Sequence, residues 1–261
     1  MSKPAFQRYI GIDYSGAKTP SSSLPGIRVY QATGEESPTE VQPPPSPKKY
    51  WTRQGLAYWL ETELSKSSPA IAGIDHGFSF PLRYFETHHL KPDWPSFLED
   101  FHRHWPSDEA QTSVEMIRKG LVGNGAARGG NTRWRRITEQ RTRAKSVFHF
   151  DVQGQVAKST HSGLPWLRYL RHQLGQKVHF WPFDGWEIPP KRSTIVEVYP
   201  GLWSGQFPSG DRTSDQHDAF TACAWLKQAD REDRLASFLK PSLSPWELSV
   251  AEVEGWILGV M

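Results

Sequence analysis

Residues 8–16 read Arg8-Tyr9-Ile10-Gly11-Ile12-Asp13-Tyr14-Ser15-Gly16, and residues 70–77 read Ala70-Ile71-Ala72-Gly73-Ile74-Asp75-His76-Gly77. Each is an apolar run that reads as a buried strand. Each carries the string Gly-Ile-Asp and then turns on small or turn-forming residues. Between them, residues 52–64 place Leu56, Trp59, Leu60 and Leu64 at helical spacing, with Thr52 in position to cap the start. Strand, crossover helix, strand is the signature of an α/β sheet with parallel neighbours. Two such strands would bring Asp13 and Asp75 to one sheet edge, the carboxyl edge, where open α/β sheets bind ligands.

Outward from this core, residues 27–31 alternate as a second strand, joined to the first by a hairpin-like link. Residues 36–48 are rich in Pro and Ser and read as a loop. A third strand nearby is not assignable. Residues 96–104, 113–120 and 164–174 read as helices, and 178–181 and 193–198 as strands. Residues 215–228 read as a helix capped by Ser214, followed by helical sequence to 239. Residues 255–260 read as a short terminal strand. The expectation is one domain over residues 1–261, with 106–162 as an insertion.

Composition narrows the function classes. The chain has 261 residues, 37 % apolar and 23 % charged, enough to bury a sizeable core. No apolar run approaches the roughly 18 residues of a membrane span, and the first residues show no apolar leader. A single cysteine, Cys223, excludes an internal disulfide and argues against a cysteine-based zinc site. A reducing, cytoplasmic compartment is expected. His88-His89 and His102-x-His104 lack a third ligand at zinc-site spacing. Ser15 lacks the context of a nucleophile elbow, and Gly16-Ala17-Lys18-Thr19 lacks the first glycine of a Walker sequence.

Charge is unevenly placed. The net charge is +3, yet the stretch 118–145 holds nine Lys/Arg and one acid, Glu139. That stretch encloses a glycine-rich run, 120–130, which is expected to be flexible. Arg133, Arg135, Arg136 and Arg141 suit phosphate contacts, Trp134 offers a stacking face, and Thr138 adds a neutral donor. A nucleic-acid strand in an open groove fits this pattern, as does a phosphorylated small molecule in a closed pocket.

The acids supply the chemistry. Asp215 and Asp218 lie three apart, on one face of the late helix. Glu197 sits near the end of strand 193–198. His217, beside Asp218, is placed to bond a carboxylate or move a proton. Converging carboxylates repel one another, and a divalent cation offsets that. Hard oxygen donors select Mg²⁺ or Mn²⁺. Two such ions about 3.5–4 Å apart can clamp both oxygens of a phosphodiester displacement. The expected ligands are Asp13, Asp75, Asp215, Asp218 and Glu197.

This order of acids resembles the RNase H-like superfamily, which carries an Asp on the first strand, an Asp or Glu on the fourth, and further acids on a late helix. The matching segments are residues 9–16, 71–77 and 214–226. Asp215-x-x-Asp218-Ala219 looks like the catalytic helix of Holliday-junction resolvases. The two Gly-Ile-Asp strands, with Glu197-Val198-Tyr199-Pro200 and His217-Asp218-Ala219, look like an uncharacterised domain family of predicted RNase H-fold nucleases. Arg136-Ile137-Thr138-Glu139, with Arg141, looks like that family's Arg-x-Thr-acid element. The resemblance implies a three-layer fold with a central mixed sheet flanked by helices, plus a Gly/Arg-rich insertion. It implies nuclease activity, with Asp13 bridging two metals, Asp75 and Asp218 holding one each, and Asp215 assisting. Two alternatives stand beside it: an actin-like or sugar-kinase-like phosphotransferase, which needs two such domains, and an inactive nucleic-acid-binding module.

Overall fold

The computed structural model describes residues 4–43, 48–142, 144–151 and 156–261. Six strands form one sheet: β1 (Arg8–Asp13), β2 (Arg28–Thr33), β3 (Thr39–Glu40), β4 (Ala70–Asp75), β5 (Val178–Phe180) and β6 (Ser193–Glu197), in the order β3-β2-β1-β4-β6-β5. β2 runs antiparallel to β1 and β3, while β1, β4, β6 and β5 are mutually parallel. The sheet is therefore mixed. The third strand is a two-residue edge piece inside the Pro-rich loop, of which 44–47 lie outside the described residues.

The helices are α1 (Arg53–Leu64), α2 (Leu82–Thr87), α3 (Trp94–His104), α4 (Val114–Arg118), α5 (Ile137–Thr142), α6 (Ala157–Leu174), α7 (Ser214–Arg231), α8 (Leu235–Leu239) and α9 (Pro245–Glu254). α1 is the crossover between the parallel strands β1 and β4, and the Thr52 hydroxyl accepts the Gly55 N–H, as expected. β4 stops at Asp75, so the apolar run 76–80 continues as loop rather than strand.

Alternation sorts the strand residues onto two faces. Ile10, Ile12, Ala72 and Ile74 pack with α1, α3 and α6. Tyr9, Ile71, Val196 and Val198 pack with α7 and α8. The result is a three-layer α/β domain. α7 starts one residue earlier than expected: Thr213 caps it, in a reciprocal box with Gln216. It does not run on to 239, because Asp233 takes a left-handed backbone (φ 59°) and separates α8. The terminal segment 255–260 is no strand. It follows α9 and adds a single bridge, Ile257 to Glu197.

Segment 106–162 belongs to the body of the domain. Val114, Ile117, Val147 and Phe148 lie in the main core beside Phe80 and Trp105, and residue 162 falls inside α6.

Candidate functional site

The doubled motif works as a pair. Asp13 and Asp75 are register partners at the carboxyl ends of β1 and β4. Adjacent strands lie about 4.8 Å apart, so the two carboxylates leave the sheet side by side. Asp218 comes from the second turn of α7, which packs across β1. The three acids line one cleft of about 550 Å³, whose walls include His76, Glu139, Ser159, Glu197 and Tyr199. Asp13 also borders a second cleft of about 610 Å³, with Ser15, Lys18, Ser113, Lys158 and Asp215. The two clefts share Asp13, Tyr14 and Ser159.

The acids feel one another. Burial, then the charges of Asp75, Asp215 and Asp218, hold the Asp13 carboxyl well above the usual carboxylate range. Burial, then Asp218 and Glu197, push Asp75 up to about 8. Asp218 is raised by burial and by Asp215, against an opposing pull from His217. Such a group gains from a cation that none of its carboxylate neighbours supplies. Among the described residues, no three acids or histidines stand close enough to hold an ion as placed. The donor chemistry nevertheless fits a hard divalent cation at Asp13, Asp75 and Asp218. Asp215 faces the second cleft, near Gly26 and Ser15.

Glu197 does not fit that role. Arg136 grips both of its oxygens, Nη1 to Oε2 at 2.7 Å and Nη2 to Oε1 at 2.6 Å, and the Phe78 N–H donates to Oε2. Three of its roughly four acceptor sites are taken by protein donors. It builds the wall of the cleft instead.

The same contacts correct the reading of Arg136. Its side chain is buried and makes four hydrogen bonds to the protein, with Nε on Glu139 and Nη1 also reaching the Glu254 carbonyl. Most of its donors are engaged by Glu197, Glu139 and Glu254 rather than free for a substrate phosphate. Thr138 is buried too, and its hydroxyl accepts the Ile257 N–H. Arg141 pairs with Glu247 and lies over the Trp256 ring. Trp134 is half-buried, edge-on to Phe148. Arg133 and Arg135 are exposed. Of these six, only Arg136 lines the acid cleft. Charge density along the sequence misled here because folding spends it: Arg118 pairs with Glu115 and Asp151, and Arg128 with Asp100. Arg143 lies outside the described residues.

His217 is half-buried beside Asp218. Its Nε2 reaches the Ser204 carbonyl at 3.3 Å, and its Nδ1 is buried without a partner among the described residues.

Four contributors went unread in the sequence. Arg53, fully buried at the start of α1, donates Nη1 to the carbonyls of Ser15 and Ala17 and Nη2 to that of Lys18. It pins the loop that follows Asp13. Its place in the helical pattern was visible, its burial was not. His76 packs edge-on to Tyr14, its Nδ1 bonds the Gly77 carbonyl, and burial pulls it down to about 4, so it is neutral at physiological pH. Lys18 and Lys158 border the second cleft with Asp13, and Lys145 lines the acid cleft with it. Comparison with protein-family models, with curated proteins and with solved structures finds no match to this chain.

Proposed function

We propose that this chain is an RNase H-like, divalent-metal-dependent nuclease that hydrolyses phosphodiester bonds in nucleic acid. One observation carries the reading. Asp13 on the first strand and Asp75 on the fourth are register partners at the carboxyl edge of a mixed sheet, and α7 adds Asp218 to the same cleft. That is the order of acids the resemblance implies. In this reading Asp13, Asp75 and Asp218 hold Mg²⁺ or Mn²⁺, Asp215 assists from the neighbouring cleft, and Glu197 shapes the wall through Arg136. Bound there, the cation supplies Lewis acidity and offsets charge developing on the phosphate oxygens. Buried carboxylates that resist ionisation on their own bind such a cation in exchange for protons. The phosphotransferase alternative needs two lobes, whereas the described residues form one six-stranded sheet.

The test is cleavage of end-labelled single-stranded, duplex and branched DNA and RNA with Mg²⁺ or Mn²⁺. The wild type is expected to cut at least one of them, with chelator and Asp13→Asn each abolishing the cut. Absence of metal-dependent cleavage across the whole panel would sink the proposal.

A further inference from the structure

The acid cleft has one exposed aromatic at its rim. Tyr199 is 37 % exposed and lines the cleft with Asp13, Asp75 and Asp218. The other strongly exposed large apolar side chains, Tyr58, Leu121, Trp246 and Met261, do not line it. An exposed tyrosine alone carries no message. This one is distinguished by its mounting and by what it leaves unused.

The ring is held from behind. Its carbonyl accepts the Leu202 N–H at 3.0 Å, and Pro200 opens a 3-10 turn, Pro200–Leu202, immediately after it. A Cβ at Gly201 would stand 3.1 Å from the ring's Cε2 and Cζ, so the bare Gly201 backbone backs the ring. Among the described residues, Tyr199 makes no ring contact, and its hydroxyl makes no hydrogen bond. A stiffly held aromatic with an unoccupied surface beside a phosphodiester-cleaving site suits a base.

The clefts fix what kind of strand could use it. Asp13 stands between spaces of about 550 and 610 Å³. Each is in the range that holds one small ligand. A mononucleotide fills one of them, whereas a continuing strand occupies both. A paired base inside a duplex cannot lie on the ring without leaving its stack.

We propose that Tyr199 is a stacking platform for an unpaired base next to the scissile phosphate. The strand then continues past Asp13 into the cleft bordered by Lys18 and Lys158. The preferred substrate is single-stranded or locally melted nucleic acid. This inference rests on the nuclease reading.

Its test separates the two. Binding of labelled single-stranded and duplex oligonucleotides is measured by fluorescence anisotropy in the Asp13→Asn background, where no cutting intervenes. Tyr199→Ala is expected to weaken single-strand binding about 5- to 150-fold, the loss of one base–aromatic stack. Tyr199→Phe should bind within about twofold of its parent, since the π-face is kept. An abasic residue, scanned along the strand, should at one position cost as much as Tyr199→Ala and add nothing to it. Circular dichroism checks that each variant is folded. Unchanged single-strand binding by Tyr199→Ala, or additive losses at every abasic position, rejects the stacking role alone. Failure of the parent to bind any nucleic acid rejects the nuclease reading with it.

Discussion

Gly11 of β1 lies directly beneath the carbonyl oxygen of Ala219 in α7: a Cβ added there would stand 2.2 Å from that oxygen. Ala219 adjoins Asp218, so the bare backbone at 11 is what lets the helix bring its acid down to Asp13. At the equivalent glycine of the other strand, Gly73, an added Cβ would stand 2.7 Å from Val198 and 3.1 Å from Leu226, the latter in α7. In Gly-Ile-Asp, the glycine seats the helix, the isoleucine fills the opposite core, and the aspartate leaves at the edge.

Gly11→Ala should therefore lower stability by about 1–3 kcal/mol, the usual cost of forcing atoms into a packed interface. It should also weaken divalent-cation binding, because α7 must move. Urea unfolding and a cation titration check both. A variant as stable as wild type with unaltered cation affinity would refute the role given to this contact.

Arg136 should behave as a structural residue. Arg136→Ala strands Glu197 and Glu139 as buried acids and should cost about 3–5 kcal/mol. Arg133→Ala and Arg135→Ala, at exposed positions, should stay within about 0.5 kcal/mol. Adding Glu197→Gln to Arg136→Ala should recover part of the loss. Denaturant midpoints decide, and equal effects at 133, 135 and 136 would contradict the burial argument.

The pH dependence has a definite sign. Asp75 holds its proton up to about 8 in the folded chain, against about 3.9 when unfolded. The folded state thus binds more protons between pH 4 and 8, and stability from this group falls as pH rises through that window. One proton gives a slope of at most about 1.4 kcal/mol per pH unit. Asp13 and Asp218 shift the same way. In chelator, Asp75→Asn should be more stable than wild type at pH 8, and the gap should close toward pH 4. Melting curves across that range test it. A gap that widens on acidification has the wrong sign.

Much of the frame was legible in the sequence because periodicity and caps are local. β1, β4, α1 and the helix bearing Asp215 and Asp218 announce themselves by alternation, helical spacing and turn residues. The parallel pairing of Asp13 with Asp75 follows from the intervening helix. What was not legible depends on distant partners. Glu197 looked like a ligand until Arg136, 61 positions earlier, took its oxygens. The basic stretch looked like a clamp until Asp100, Asp151 and Glu247 neutralised parts of it. α9 was missed although its signal is local: Ser244 and Glu247 form a capping box with Pro245 at the first turn, and Val250, Ala251 and Val253 are buried. Its Glu254 accepts the N–H groups of Leu82 and Ile137. Tyr199 was quoted only within a motif, and its exposure at the rim is a property of the fold.

The central claim is that Asp13, Asp75 and Asp218 act as one divalent-cation site. Titration of Mn²⁺ at pH 8, following the free ion by electron paramagnetic resonance, tests it most directly. The wild type and Glu197→Gln should both bind Mn²⁺, and folded Asp13→Asn and Asp75→Asn should lose at least tenfold in affinity, about 1.4 kcal/mol. Equal Mn²⁺ binding by all four proteins, or none by the wild type, would contradict the account.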